Sequence, residues 1–184
     1  KRQHLFGAGS AGAAIAVKEW LERTGTPGTI QFFGTPAEEG GSGKVYMVRA
    51  GLFDDVDTVI HWHPSSVNAA DSASTLANRS AKFTFSGVSS HAASAPDRGR
   101  SALDAVEAMN FMVNLLREHV PTSTRLHYVI TNGGSAPNVV PNTAQSFYYV
   151  RHPNETTLRE IWDRVMATAA VSYTHLTLPT TDRV

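Results

Sequence analysis

Apolar residues recur along this chain with changing period, and the change falls near Asn78. Ahead of it, Ile15, Val17, Trp20 and Leu21 fall at roughly helical spacing after a Gly-Ala-rich stretch, and Gly25 suits the helix end. TIQFFG (29–34) predicts a short buried strand, followed by the loop TPAEEGGSG. KVYMVRAG (44–51) predicts a short helix closed by Gly51. VDTVIHWHP (56–64) predicts a second buried strand that ends on two histidines and a proline. Strands alternating with helices imply an α/β layer with a mainly parallel sheet.

Beyond Asn78 the chain alternates. Ala81, Phe83 and Phe85 share one face of SAKFTFSG (80–87), with Lys82 and Thr84 on the other, as in a half-buried strand. A helix is expected over 101–119, where Ser101 and Asp104 have capping-box spacing and Leu103, Val106, Met109, Val113 and Leu116 form a stripe. RLHYVIT (125–131) and TAQSFYYVR (143–151) read as strands. A last helix begins near Asn154, with Leu158, Ile161, Trp162, Val165 and Met166 on its apolar face. This is most of a β-α-β-β-α-β, ferredoxin-like pattern, with its final strand due after Ala170. What stands there, VSYTHLTLPTTDRV, has no helical period and only broken strand character. Residues 171–184 resemble translated adapter DNA and are expected to be non-native, so His175 is not a candidate site residue. The expected organisation is therefore an α/β domain portion over 1–77, an incomplete ferredoxin-like α+β domain over 78–170, and the tail.

Sixteen basic and sixteen acidic residues among 184 give a net charge of zero, so no basic excess points to nucleic acid or an anionic membrane. No apolar run approaches the roughly 20 residues of a membrane helix. The absence of cysteine leaves no disulfide framework and no thiolate metal site, with the cytoplasm as the default compartment. Gly7, Gly9 and Gly12 spell G-x-G-x-x-G, but no strand precedes them and no acidic residue follows at the right distance, so close helix packing is the better reading than dinucleotide binding. The first residue, Lys1, is not a methionine, and the chain is expected to be a fragment.

Five places carry candidate chemistry. Glu38 and Glu39 are adjacent carboxylates just past the first predicted strand, where like charges raise each other's pKa and a cation would offset the cost. One could bind metal while its neighbour acts as a base; the competing reading is an exposed acidic loop at a helix start. His61 and His63 close the second predicted strand, at the edge where α/β sheets gather ligands. Imidazole there suits a metal, or both rings are hydrogen-bonded surface groups. His91 stands in a small-residue loop with no apolar face to fill, as a solvated residue or one that reaches a substrate. Asn138, between proline-containing turns, bonds a substrate or its own turn. Arg151, at a strand end, clamps a carboxylate or caps an exposed edge.

Taken in order, PAEEGGSGK, the histidine closing the next strand, SGVSSHAASAP, GRSALDAVEAMN and NVVPNTA resemble the dinuclear-metal peptidases and aminoacylases, in their amidohydrolase branch. The resemblance covers about residues 4–170. It implies that 1–77 belongs to a catalytic metal-binding α/β domain and 78–170 to a lid that pairs subunits, as a homodimer or hetero-oligomer. By the same resemblance Glu38 is the general base, Glu39 and His63 are metal ligands with His61 nearby, and His91 reaches a partner subunit's site to steady the oxyanion. Asn138 and Arg151 correspond to residues that bind the substrate's amide oxygen or carboxylate. Two divalent ions, zinc or manganese, and a small N-acyl amino acid substrate are implied.

The chain departs from the family pattern where an early ligand histidine should precede LFGAG. Gln3 stands in that place and His4 is one position off. An early ligand-bearing strand and a late ligand histidine beyond residue 170 are also missing, so the 184-residue polypeptide is expected to be inactive by itself. Two other classes fit parts of the sequence. A non-catalytic dimerisation module would use the apolar helices, and a regulatory amino-acid-binding domain would explain 80–170 but not the Glu38–Glu39 or His61/His63 pairs.

Overall fold

A computed structural model describes residues 2–70 and 74–177. The chain divides into two units at Ala70/Asp71, seven residues ahead of the expected boundary.

In the first unit, helix α1 spans Arg2–Thr24 and so takes in the whole GAGSAG segment. Alanine is the best helix former and offsets the glycines' preference for coil. Close packing at this segment is realised at Gly9, where a Cβ would lie 3.0 Å from the Trp62 ring. Nearby, the Trp62 indole N–H donates to Ser10 Oγ at 3.1 Å. The helix ends in a Schellman motif: Gly25 has φ 64°, and the amides of Gly25 and Thr26 bond back to Glu22 and Leu21. After the single turn α2 (Glu38–Gly41) comes α3 (Gly43–Arg49), closed at Gly51 (φ 73°) by the same motif.

The two strands predicted in this unit do not form. Segments 29–34 and 56–64 make no ladder among the described residues, and no mainly parallel sheet results. A strand takes its backbone hydrogen bonds from a neighbour, and these segments do not pair with each other. None of residues 4–70 is buried; Phe32 is 54% and Ile60 89% exposed. The apolar runs that suggested interior strands are real, but their cover is not supplied within this unit.

The second unit is a two-layer α/β sandwich. Strands β1 (Ala77–Ser86), β2 (Arg125–Asn132) and β3 (Thr143–His152) form an antiparallel sheet in the order β1-β3-β2. Helices α4 (Ala102–Leu116) and α5 (Glu155–Thr177) cover one face. The period-two pattern of β3 explains this: Ala144, Ser146, Tyr148, Val150 and His152 are buried, and the residues between them are not. Phe83, Phe85, Val106, Met109, Leu158 and Val165 complete the core. Ser101 caps α4, accepting from the Asp104 amide at 3.2 Å, and the Asn154 side chain caps α5, accepting from Thr157 at 2.9 Å. The expected 101–119 helix is α-helical to Leu116 and then tightens into a 3-10 turn over Arg117–His119. Met166, expected on the apolar face of α5, is 45% exposed, since Leu158, Ile161 and Val165 already fill that stripe.

No final strand follows Ala170 among the described residues. Helix α5 continues instead to Thr177, against the expectation of a tail without helical character. Ser172, fully buried, bonds Thr168 O at 2.7 Å, so the segment enters the helix–sheet layer. Residues 178–184 lie outside the described residues.

Candidate active-site loops

The acidic loop of the first unit is tightly constrained. Ala37 and Ser42, which bracket α2, have φ values of 54° and 51° and are the non-glycine residues with positive φ among those described. A left-handed L-residue costs roughly 1–2 kcal/mol, and such strain tends to gather at functional sites. Gly43 has no room for a side chain, since a Cβ would meet the Pro36 carbonyl oxygen at 2.0 Å. Glu38 and Glu39 thus open a single helical turn and are both exposed. Consecutive helical residues do not face each other, so the two carboxylates diverge.

His63 is exposed and bonds through Nδ1 to its neighbour's carbonyl, Pro64 O, at 2.9 Å, with the Phe6 ring 5.9 Å away edge-on. Because 56–64 is not a strand, the pleat that would aim His61 and His63 the same way is absent. Glu39 and His63 have the donor chemistry of a zinc or manganese site. Among the described residues, however, no three or more His, Asp or Glu side chains gather where an ion could be held. A catalytic zinc site takes about three protein ligands, so these residues do not complete a metal centre.

In the second unit the structure brings His91 and Asn138 together. The loop after β1 is closed on itself by an isolated bridge between Val88 and Arg100, and a second bridge, His91 with Val139, joins it to the loop before β3. The Ala92 amide donates to Asn138 O and the Val140 amide to Ser90 O, each at 2.9 Å. His91 is exposed, and its Nδ1 accepts from the amides of Ala93 (3.2 Å) and Ser94 (3.3 Å). An accepting Nδ1 places the ring proton on Nε2, so the neutral imidazole presents an N–H donor. The small residues of SHAAS permit this turn, which is the local signal for a preset histidine.

Arg151 is elsewhere. It lies near the far end of β3, eight residues from Thr143, roughly 26 Å at about 3.3 Å per residue. Its position, unlike Val150 and His152, is on the sheet face away from the helices, with the guanidinium 5.5 Å from the Tyr149 ring centre and a buried Nε that has no hydrogen bond. It pairs in register with Asn78 and Arg125. Sequence reasoning did not single out His152, which is buried and bonds Ser123 Oγ through Nε2 at 2.9 Å and Asn154 through Nδ1. Its role is to hold the 121–124 turn against the start of α5.

Strand, helix, strand, strand and helix in that order make the second unit an α+β sandwich that presents a preset histidine from its paired loops. The peptidase dimerisation domain profile matches residues 74–175, and the chain belongs to that family. It is 50% identical over 163 residues to a p-aminobenzoyl-glutamate hydrolase subunit of Escherichia coli (strain K12), covering 88% of this chain and 34% of that protein. It is 36% identical over 154 residues to human Xaa-Arg dipeptidase, covering 82% of this chain and 35% of that one. Among solved structures, aminobenzoyl-glutamate utilization protein from Klebsiella pneumoniae matches with a TM-score of 0.56 at 28% identity, over 77% of this chain and 37% of the other. The chain spans about a third of the length of the curated relatives it matches.

Proposed function

We propose that this chain supplies part of an amidohydrolase that cleaves N-acyl amino acids, with p-aminobenzoyl-glutamate, split into p-aminobenzoate and glutamate, as the favoured substrate. One observation carries the reading: the 50% identity with the Escherichia coli p-aminobenzoyl-glutamate hydrolase chain. A match of 163 residues leaves about 21 (184 − 163) outside it, so it includes every candidate from Glu38 to Arg151. Other relatives, among them the Xaa-Arg dipeptidase and an indole-3-acetyl-aspartic acid hydrolase, keep amide hydrolysis as the common chemistry and vary the substrate.

In this reading Glu38 takes the proton from the attacking water and delivers it to the leaving amine. His91, with its proton on Nε2, donates to the oxygen that becomes negative in the tetrahedral intermediate. Asn138 binds the amide oxygen and Arg151 the terminal carboxylate. Divalent metal, zinc or manganese, would polarise the carbonyl and acidify the water. Glu39 and His63 are proposed as two of its ligands, the remainder lying outside the described residues. The compartment is proposed to be the cytoplasm; no helix among the described residues is long and apolar enough to cross a membrane.

The geometry of the second unit supports assembly. His91 and Arg151 stand at opposite ends of the sheet, too far apart for one small substrate to touch both in a single copy. An apolar strip on α4 and the helix-side face of β2, with Phe111 64% and Ile130 45% exposed, is the proposed face for a second subunit, identical or homologous. The incomplete ligand set favours a second reading, a dimerisation module that serves catalysis only through its partner.

The test is to express the full-length gene product and measure release of p-aminobenzoate and glutamate, before chelation and after return of zinc or manganese. Turnover that is lost and then restored supports the proposal. No turnover on p-aminobenzoyl-glutamate or any other N-acyl amino acid refutes it and leaves the dimerisation module.

A further inference from the structure

A groove of about 360 Å³ opens where the segment before β3 passes the start of α4. Leu103, Gly133, Ala136, Pro137, Val139 and Pro141 are among the residues that line it, and none of its lining residues carries a charge. Two glycines shape it. Gly133 approaches Leu103, and Gly134, at φ 106°, leaves no room for a side chain because a Cβ would lie 2.8 Å from the Pro141 ring.

The groove is next to the preset histidine. His91 and Val139 are directly opposed across their antiparallel bridge, and the flanking hydrogen bonds make them the close, non-hydrogen-bonded kind of pair. Opposed residues of such a pair project to the same side with Cβ atoms about 4.5–5.5 Å apart. Val139 lines the groove, so His91, opposite it across the bridge, stands beside the groove without being part of its lining.

We propose that this groove receives the acyl half of the substrate, an aromatic ring joined to the scissile carbonyl, and excludes the amino-acid half. The proposal rests on the amidohydrolase reading above. The division follows from charge. Glutamate would bring two carboxylates against an apolar lining that offers no cation to pair with them. A benzoyl ring gains by leaving water against leucine, valine and proline. The groove is also within the usual size of small-molecule sites, about 300–1,000 Å³. A carbonyl attached directly to a ring held here lies beside the Nε2–H donor of His91, so ring binding and oxyanion stabilisation share one register.

The experiment uses the 184-residue chain with labelled methyl groups, titrated separately with p-aminobenzoate and with glutamate. p-Aminobenzoate is expected to shift the methyl resonances of Leu103 and Val139, and glutamate to leave them in place. Ala136 is exposed, so Ala136→Phe fills the groove without touching the core and should weaken p-aminobenzoate binding about tenfold, while Ala136→Ser keeps it. Should Ala136→Phe disturb the amide spectrum as a whole, the unmodified chain's titration decides alone. The proposal is overturned if glutamate moves these methyls and p-aminobenzoate does not, or if p-aminobenzoate moves neither. Those results are read without turnover, so they stand apart from the activity assay that tests the proposed function.

Discussion

The backbone amide of Ala93 donates to Nδ1 of His91 at 3.2 Å, which decides which nitrogen of that ring carries its proton. A second amide, from Ser94, repeats the instruction. The neutral ring is therefore expected in its Nε2–H form, and long-range nitrogen–proton correlation spectra of the 184-residue chain check this directly. In the full-length protein, His91→Ala should lower kcat by roughly 100- to 1,000-fold, the usual loss for one oxyanion donor, with little change in KM. A change confined to KM would assign His91 to ground-state binding instead.

The diverging carboxylates of α2 make a separable prediction. Glu38→Ala in the full-length protein should abolish turnover and leave metal content nearly intact. Glu39→Ala should lower the bound metal as well as the rate. Metal analysis of the two purified variants beside wild type tells them apart, and equal metal loss in both would show that the roles are not divided.

How much of this was legible in the sequence depends on where each residue finds its partners. The second unit's strands, helices and caps were, because their signals are local: alternation at Phe83 and Phe85, a serine at Ser101, an asparagine at Asn154. TIQFFG and VDTVIHWHP have equally good strand patterns but form none, because a strand needs a neighbour and pattern does not show whether one is present. The acidic loop was legible as chemistry, yet not the left-handed Ala37 and Ser42 that hold it, since neither is a residue type that advertises positive φ. The closeness of His91 to Asn138, and the distance of both from Arg151, come from loop bridging and strand direction, which spacing along the chain does not encode. The helical course of 171–177 was missed because Ser172 and Thr174 satisfy their hydroxyls on α5's own carbonyls, a contact invisible to apolar periodicity.

A buried polar knot under the sheet should be costly to cut. Asn110 Oδ1 accepts from both the Tyr148 hydroxyl and Ser146 Oγ, and all three residues are buried. Asn110→Leu takes the Asn110 partner from the buried Tyr148 hydroxyl and leaves Ser146 Oγ only its 3.3 Å bond to Val129 O. A buried hydroxyl left unpaired costs about 1–3 kcal/mol, so the midpoint of chemical unfolding should fall clearly. Exposed Asn78→Ala, on the other face of the sheet, is the control and should change stability by less than about 0.5 kcal/mol.

Tyr148 adds a pH dependence with a definite sign. Burial, reinforced by Tyr128, pushes its phenol well above the ordinary tyrosine value near 10. The unfolded chain therefore releases this proton before the folded one does. Its contribution is fully present below about pH 10 and is lost as pH rises further, by about 1.4 kcal/mol per unit from this group. Other groups titrate there too, so the readout is the difference between wild type and Tyr148→Phe. The variant should lose stability less steeply above pH 10, and parallel curves would mean the phenol is not held neutral by burial.

The last prediction concerns the apolar strip. Phe111 and Leu115 lie one turn apart on α4 and are 64% and 53% exposed, while Ile130, on the helix-side face of β2, is 45% exposed. Single exposed apolar residues are ordinary, but three on adjoining elements form a patch of the kind that marks an interface. The α4 side rests on a well-anchored element, since Asn114 bonds Tyr128 at 3.1 Å and Arg117 bonds the Leu126 carbonyl at 2.8 Å, tying α4 to β2. A charge at Phe111 should therefore break association without breaking the fold. Phe111→Asp is expected to shift the full-length protein from dimer to monomer in sedimentation velocity, with its far-UV circular dichroism unchanged. Arg98→Asp, an exposed charge reversal away from this strip, should leave the dimer intact. If Phe111→Asp remains fully dimeric, assembly uses another surface, and the composite use of His91 from one copy and Arg151 from another loses its geometric basis.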